Sequence, residues 1–186
     1  MEHKVADPGP LGLAGFAMTT FCLSSANANL WHGAGVEAAL ALAFFYGGLV
    51  QLLAGMWEFV RKNTFGAVAF SSYGAFWLAF YAIVQFHLAG GGTDTVGIFL
   101  LGWTIFTAYM TIAAAKTNTA IFVVFILLVV TFALLTIGNW GAGHSSMVHA
   151  GGWFGLATAV GAWYASMAGV VNETHGKVLF PVGRRG

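Results

Sequence analysis

The polar side chains that interrupt the long apolar stretches of this sequence are mainly neutral hydrogen-bonding groups. Gln51 and Glu58 are seven residues apart, which places them on one face of a helix. Amides and hydroxyls can bind a small solute through hydrogen bonds, and a carboxylate can also carry a proton. Glu58 precedes Arg61 by three residues, so the simplest interpretation is a local ion pair at the edge of its stretch.

Three other apolar stretches carry hydrogen-bonding groups at helical spacing. The first face has Phe16, Thr20, Leu23 and Asn27, the second has Tyr73, Trp77, Phe80, Val84 and His87, and the third has Leu128, Thr131, Leu135 and Asn139. Such mixed faces are typical both of an ordinary bundle core and of the lining of a polar path. The residues alone leave these two interpretations open.

Motifs of the common enzyme and cofactor classes are absent from the sequence. There is no phosphate-binding loop, nucleophile elbow or dinucleotide fingerprint, so we expect no enzyme. His144 and His149 face different sides of a helix, which disfavours a zinc pair. Haem held by His87 and His149 is also disfavoured, because lone histidines near span ends are usually structural. A net charge of +1 without a basic cluster argues against nucleic acid.

The low content of charged residues predicts which secondary-structure elements position these side chains. Of the 186 residues, 59% are hydrophobic and only 7% are charged, whereas a soluble domain carries about 25% charged residues. The charges leave five long gaps, of which the last, residues 117–172, is long enough for two spans. We therefore predict an all-α membrane protein, residues 1–186 forming one domain. Its six transmembrane helices are predicted at residues 11–28, 38–60, 66–88, 95–115, 119–138 and 146–170.

With six spans, all seven Lys and Arg residues fall on the side of the two termini. The positive-inside rule then predicts a multi-pass protein of the inner or plasma membrane with both termini cytoplasmic. A signal peptide ending at Ala26-Asn27-Ala28 is disfavoured, because its removal would spoil this charge distribution. The apolar runs are also too long and unbroken for the strands of an outer-membrane barrel.

Small residues recur every four positions on the sixth predicted span. One row consists of Gly151, Gly155 and Ala159, and the other of Gly161, Ala165 and Gly169. Small residues at this spacing let membrane helices approach closely. Because two rows exceed what a small bundle needs for its own interior, they favour a homo-oligomer.

The segment before the first span reads Asp7-Pro8-Gly9-Pro10-Leu11-Gly12-Leu13. Asp can cap a helix that begins with proline, and the free amides of such a helix attract anions. The segment resembles the Asn-Pro-Ala-Pro-Leu-Gly-Leu signature of the acetate uptake transporter family, the YaaH or succinate/acetate permease group. Asp7 and Gly9 depart from that signature, and Asp7 places a negative charge near the path of an anion.

The resemblance to this family covers essentially the whole chain. The further matching segments are Phe45-Tyr46-Gly47-Gly48, Gln51, Ala54-Gly55, Asn63-Thr64-Phe65-Gly66, Ser72-Tyr73-Gly74, Phe76-Trp77, Phe132-Ala133-Leu134-Leu135 and Ile137-Gly138-Asn139. The resemblance implies a six-helix protomer in a homohexamer, with one acetate path through each protomer. It also implies a hydrophobic constriction of a Phe, a Tyr and a Leu, which correspond here to Phe16, Tyr73 and Leu128.

Family members take up acetate and, in some cases, succinate, by uptake described as proton-linked or channel-like. A small carboxylate is ionised at neutral pH, so we expect neutral donors to pass it along the path. The candidate substrate-binding groups are Thr20, Gln51, Thr131 and Asn139, together with the Tyr73 hydroxyl, and Glu58 is the candidate for proton coupling. The alternatives are a urea or small-amide channel and a non-transporting membrane subunit such as a haem anchor.

Overall fold

The computed structural model describes residues 5–31, 34–88, 90, 93–141 and 143–183. These residues form six helices in succession. They are α1 (Gly9–Asn27), α2 (Ala34–Phe44, continued by Phe45–Val50 and Gln51–Val60), α3 (Thr64–Gln85), α4 (Thr93–Ala114), α5 (Thr119–Gly138) and α6 (Ser145–His175). Lys4, Arg184 and Arg185, on which the predicted orientation partly depends, lie outside the described residues.

Within the described residues, five helices are long and apolar enough to cross a membrane, and they correspond to α2 through α6. The remaining helix, α1, is richer in Thr, Ser and Gly, but its 19 residues extend for about 28 Å at 1.5 Å per residue, close to the thickness of a bilayer core. The all-α, multi-pass membrane fold is thereby confirmed. The largest boundary difference is at α6, which continues past residue 170 to His175 and ends where Gly176 adopts a φ of +64°.

The helices alternate in direction, so α1, α3 and α5 begin at the end of the bundle where α2, α4 and α6 finish. Two of these beginnings are capped by asparagine. The Asn63 Oδ1 atom accepts a hydrogen bond from the Gly66 amide at 3.2 Å, and the Asn118 Oδ1 atom accepts one from the Ile121 amide at 2.9 Å. The segment Asn63-Thr64-Phe65-Gly66 is therefore the start of α3, and the asparagine is accounted for by its role as the N-cap.

The helix α2 contains a six-residue π-helical segment, Phe45–Val50, that the apolar pattern did not predict. Neighbouring helices approach this segment closely. A Cβ atom on Gly15 of α1 would lie 2.7 Å from the Tyr46 carbonyl oxygen, and one on Gly47 would lie 2.9 Å from Cδ1 of Trp77 in α3. Only glycine fits at both positions. Because π-helical turns recur at functional sites in helices, this junction of α1, α2 and α3 is relevant to the site.

The two rows of small residues on α6 both pack inside the described bundle. A Cβ atom on Gly151 would lie 2.8 Å from Leu135 Cδ2 of α5, one on Gly161 would lie 3.0 Å from Val124 Cγ2 of α5, and one on Gly169 would lie 2.7 Å from Pro10 Cγ of α1. The rows therefore do not indicate an oligomer, and the predicted homo-oligomer stays a prediction. The rows serve contacts within one chain.

The chain after α6 folds back along the bundle. The Thr119 and Ala120 amides, at the start of α5, donate to the carbonyl oxygens of Gly183 and Val182 at 2.7 and 3.0 Å. The Asn172 side chain holds the same segment by accepting from the Leu179 amide at 2.7 Å and donating to the Phe180 carbonyl at 2.8 Å. This segment therefore satisfies free amides of α5 and forms one wall at this end of the bundle.

Candidate functional site

A cavity of about 790 Å³ opens at the end of the bundle where α1, α3 and α5 begin. We call it the vestibule. Its walls come from the start of α1, the α2–α3 and α4–α5 turns, the end of α6 and the chain that follows α6. Its lining includes Asp7, Glu58, Arg61, Asn63, Asn118, Asn172, Glu173 and Lys177. Charges of both signs therefore surround the entrance to the bundle.

Asp7 and Arg61 form an ion pair across the vestibule, with Arg61 Nη1 donating to Asp7 Oδ1. Both side chains are partly exposed, and this is the only ion pair among the described residues. The predicted local pair between Glu58 and Arg61 is therefore wrong: Arg61 turns to the segment before α1, a partner 54 positions away in the sequence. Asp7 also accepts a hydrogen bond from the Gly9 amide at 2.9 Å. The N-cap of α1 is Pro8, one residue after Asp7, so the prediction that Asp7 caps this helix is wrong.

Glu58 is 1% exposed and is held by Asn63, whose Nδ2 atom donates to Glu58 Oε2 at 2.9 Å. The other carboxylate oxygen, Oε1, lies between two helix starts. A Cβ atom on Gly66 of α3 would be 2.7 Å from it, and one on Gly9 of α1 would be 3.5 Å from it. Because helix N-termini carry partial positive charge, both helices favour a negative charge at this place.

Beyond the vestibule, Phe16, Tyr73 and Leu128 come together in the bundle interior, where each is at most 5% exposed. The rings of Phe16 and Tyr73 have centroids 5.8 Å apart. All three line a small, almost wholly apolar cavity of about 30 Å³, with Gln51 as its one amide. A water molecule occupies about 30 Å³ in the liquid, so the space narrows here to roughly one water. We call these three residues the neck.

The Tyr73 hydroxyl lies 2.8 Å from the Thr107 hydroxyl of α4, which is fully buried. The Tyr73 ring also stacks on Phe132 at a centroid distance of 6.5 Å and contacts Phe106 edge-on at 5.4 Å. These contacts fix the ring in the neck. Thr107 was missed in the sequence, although Thr104, Thr107 and Thr111 recur at helical spacing along α4. The Tyr73 hydroxyl, predicted as a substrate-binding donor, thus already has the Thr107 hydroxyl as a hydrogen-bond partner.

Of the four predicted substrate-binding residues, one lines the neck cavity, two lie about one helical turn beyond the neck, and one is remote from it. Gln51, 1% exposed, lines the small cavity, and its Oε1 atom has no hydrogen-bond partner among the described residues. Thr20 and Thr131 follow Phe16 and Leu128 by four and three positions, about one turn along their helices. Asn139 instead ends α5, eleven positions beyond Leu128, where its Nδ2 atom donates to the Leu135 carbonyl at 2.8 Å. It is therefore not part of the neck.

The histidines considered as haem or zinc ligands are exposed. His149 accepts a hydrogen bond from Trp153 Nε1 at 3.2 Å. Across the described part of the chain, no three His, Cys, Asp or Glu side chains come together as a metal site.

Known proteins resemble this chain over nearly its full length. The model of the GPR1/FUN34/yaaH family matches residues 1–184. The chain is 41% identical over 198 residues to acetate permease A of Emericella nidulans, an alignment that covers 97% of this chain and 66% of that protein. It is 40% identical over 184 residues to the succinate-acetate/proton symporter SatP of Escherichia coli K12, covering 97% and 96% of the two chains.

The solved structure of the bacterial acetate channel SatP superposes with a TM-score of 0.91 at 40% identity, covering 97% of this chain and all of that one. The chain spans just under two thirds of the length of acetate permease A, and nearly the full length of the Escherichia coli symporter. These relatives are named as transporters or channels and not as enzymes. The chain belongs to the GPR1/FUN34/yaaH family.

Proposed function

We propose that this chain is a membrane channel or transporter for acetate and related small carboxylates, succinate included, with a path through each protomer. The observation that supports the proposal is a wide vestibule with charged and amide side chains in its lining, followed by an apolar neck with buried, unpaired neutral groups beside it. The names of the bacterial symporter and acetate channel support the same substrate class.

The chemistry of the path suits a small anion that must be released again. A carboxylate loses part of its water at the neck, and hydrogen-bond donors replace that water at lower cost than an apolar wall. The guanidinium group that lines the vestibule belongs to Arg61, which is already paired with Asp7. Neutral donors such as the Thr20 hydroxyl and the Gln51 amide N–H therefore bind the anion weakly enough for rapid passage. Thr131, the third candidate, must first release its hydrogen bond to the Leu127 carbonyl. Phe16, Tyr73 and Leu128 select by size and gate by excluding water.

The proposed orientation places the vestibule and both termini in the cytoplasm, in the inner or plasma membrane. Arg61, Lys62, Lys116 and Lys177 support it, because they follow α2, α4 and α6 at the vestibule end of the bundle. We further propose a homohexamer, on the family resemblance alone.

Uptake of labelled acetate by liposomes that contain the purified chain, measured beside uptake of labelled urea, tests the proposed substrate class. Faster uptake of acetate than of urea supports a carboxylate path. The reverse preference would support a small-amide channel.

Glu58→Gln is expected to remove a proton dependence of acetate uptake. The glutamine has nearly the same shape and retains a hydrogen bond to Asn63, but it cannot bind and release a proton. In wild-type liposomes we expect uptake to rise as the external pH falls, and in Glu58→Gln liposomes we expect a flat profile. The measurement is the initial rate of labelled acetate uptake across a pH series, corrected with protein-free vesicles.

Glu37→Gln provides the matched control, since Glu37 is exposed in the first turn of α2. It should retain the wild-type pH profile. An identical pH profile in wild type and Glu58→Gln would assign Glu58 to a structural role at the ends of α1 and α3.

A further inference from the structure

Two buried polar groups lie one helical turn beyond the neck. Trp77 follows Tyr73 by four residues on α3, and Thr20 follows Phe16 by four residues on α1. Both helices begin at the vestibule, so both side chains lie about 6 Å farther from it than the neck does. Trp77 is 2% exposed and Thr20 is 5% exposed. The two residues therefore occupy the same level of the bundle interior.

Neither group has a hydrogen-bond partner within the described part of the chain. The unpaired atoms are Trp77 Nε1 and Thr20 Oγ1. Thr20 differs in this respect from Thr19, Thr131 and Thr158, whose hydroxyls each donate to the carbonyl four residues earlier at 2.8 to 2.9 Å. Buried donors without partners are rare in folded proteins, and each one calls for a water, an ion or a ligand.

The Trp77 ring is held in place by its neighbours. It contacts the ring of Phe76 at a centroid distance of 4.9 Å and that of Phe80 at 6.1 Å. Its Cδ1 atom, which is bonded to Nε1, lies against Gly47 of the π-helical segment. Gln51 follows Gly47 by one turn toward the vestibule and lines the neck cavity. The indole edge therefore lies at the junction of α1, α2 and α3, one turn beyond the amide of Gln51.

We propose that the Trp77 indole N–H and the Thr20 hydroxyl together bind the carboxylate of the transported anion immediately beyond the neck. This inference rests on the proposed function and adds Trp77 to the residues of the path. An indole N–H can only donate, so it favours a carboxylate oxygen and offers nothing to the N–H groups of an amide. The ring itself gives an apolar surface for the methyl group of acetate.

The direct test observes the indole N–H itself. The wild-type chain is labelled with nitrogen-15 in its seven tryptophans, and the Trp77 resonance is assigned by its loss in Trp77→Phe. Titration with acetate should move the Trp77 indole proton downfield, whereas chloride at equal ionic strength should not. The Trp153 indole, which already donates to His149, should not respond to acetate. A Trp77 resonance that stays fixed at saturating acetate would overturn the proposal.

The transport arm compares Trp77→Phe with Trp153→Phe in liposomes. Loss of a hydrogen bond to a charged group should raise the KM for acetate roughly tenfold in Trp77→Phe. Trp153→Phe, an exposed position, should retain the wild-type KM. If Trp77→Phe does not fold, the Trp77 resonance is assigned by elimination, from single Trp→Phe variants of the other six tryptophans. Thr20→Val then replaces Trp77→Phe in the uptake assay and in the acetate titration, where it should weaken the shift of the Trp77 resonance.

Different results would refute the proposed function and the Trp77 and Thr20 site. Wild-type liposomes without acetate uptake would refute the proposed function. Wild-type uptake combined with an unmoved Trp77 resonance and an unchanged KM in the variants would refute the Trp77 and Thr20 site alone.

Discussion

Leu128→Ala is expected to increase the uptake of propionate and succinate relative to acetate by roughly tenfold or more. Leu128 is 3% exposed and lines the neck cavity together with Phe16 and Tyr73, so its truncation enlarges that cavity. In the proposed path, the neck excludes larger carboxylates because they do not fit and cannot keep their water. The measurement is the ratio of initial uptake rates for the labelled acids, normalised to the amount of reconstituted protein.

Leu127→Ala is the matched control for this substitution. Leu127 is the preceding residue of α5, is half-buried, and does not line the neck cavity. It loses the same atoms without widening the neck, so its selectivity should remain that of wild type. An unchanged ratio in Leu128→Ala, or an equal change in Leu127→Ala, would contradict the assignment of the neck.

Gly15→Ala is expected to destabilise the bundle by about 1–3 kcal/mol, the usual cost of overpacking. The new Cβ atom would lie 2.7 Å from the Tyr46 carbonyl oxygen, which is backbone in the π-helical segment and cannot rotate away. The helices α1 and α2 must therefore separate. Each kcal/mol corresponds to roughly 2–4 °C in Tm for a chain of this size, so thermal unfolding in detergent detects the change.

Gly102→Ala supplies the comparison, because a Cβ atom on Gly102 would meet nothing within 4 Å. An alanine in this open position of α4 should leave Tm unchanged or raise it slightly, since alanine favours helix over glycine. Equal Tm values for Gly15→Ala and wild type would show that the contact between α1 and the π-helical segment is looser than described. Because Phe16 adjoins Gly15, reduced acetate uptake should accompany the lower Tm.

The arrangement of helices was predictable because charge and hydropathy report on the solvent around each segment. The gaps between charged residues predicted six helices, and their boundaries agree within a few residues at α3 and α5. The π-helical segment was not predictable in this way, since Phe45–Val50 is as apolar as the regular turns around it. Gly15 of α1 and Trp77 of α3 lie against this segment, and these contacts between helices exist only in the assembled bundle.

Residues of the candidate site could be predicted together only where they lie on the same face of one helix. Helical spacing placed Phe16 with Thr20, Tyr73 with Trp77, and Leu128 with Thr131, but it did not distinguish a path from a core. Partners on different helices were missed or mistaken. Arg61 pairs with Asp7 instead of Glu58, and Thr107 holds the Tyr73 hydroxyl. Such pairs depend on which helices are neighbours, a property that periodicity within one helix does not contain.

The most direct test of a carboxylate path is the initial rate of labelled acetate uptake into liposomes that hold the purified wild-type chain. Labelled urea and protein-free vesicles are measured in parallel, because acetic acid itself crosses lipid. The proposed path predicts acetate uptake well above that of protein-free vesicles and urea uptake equal to theirs. Acetate uptake no faster than in protein-free vesicles, or a chain that carries urea in preference to acetate, would contradict it.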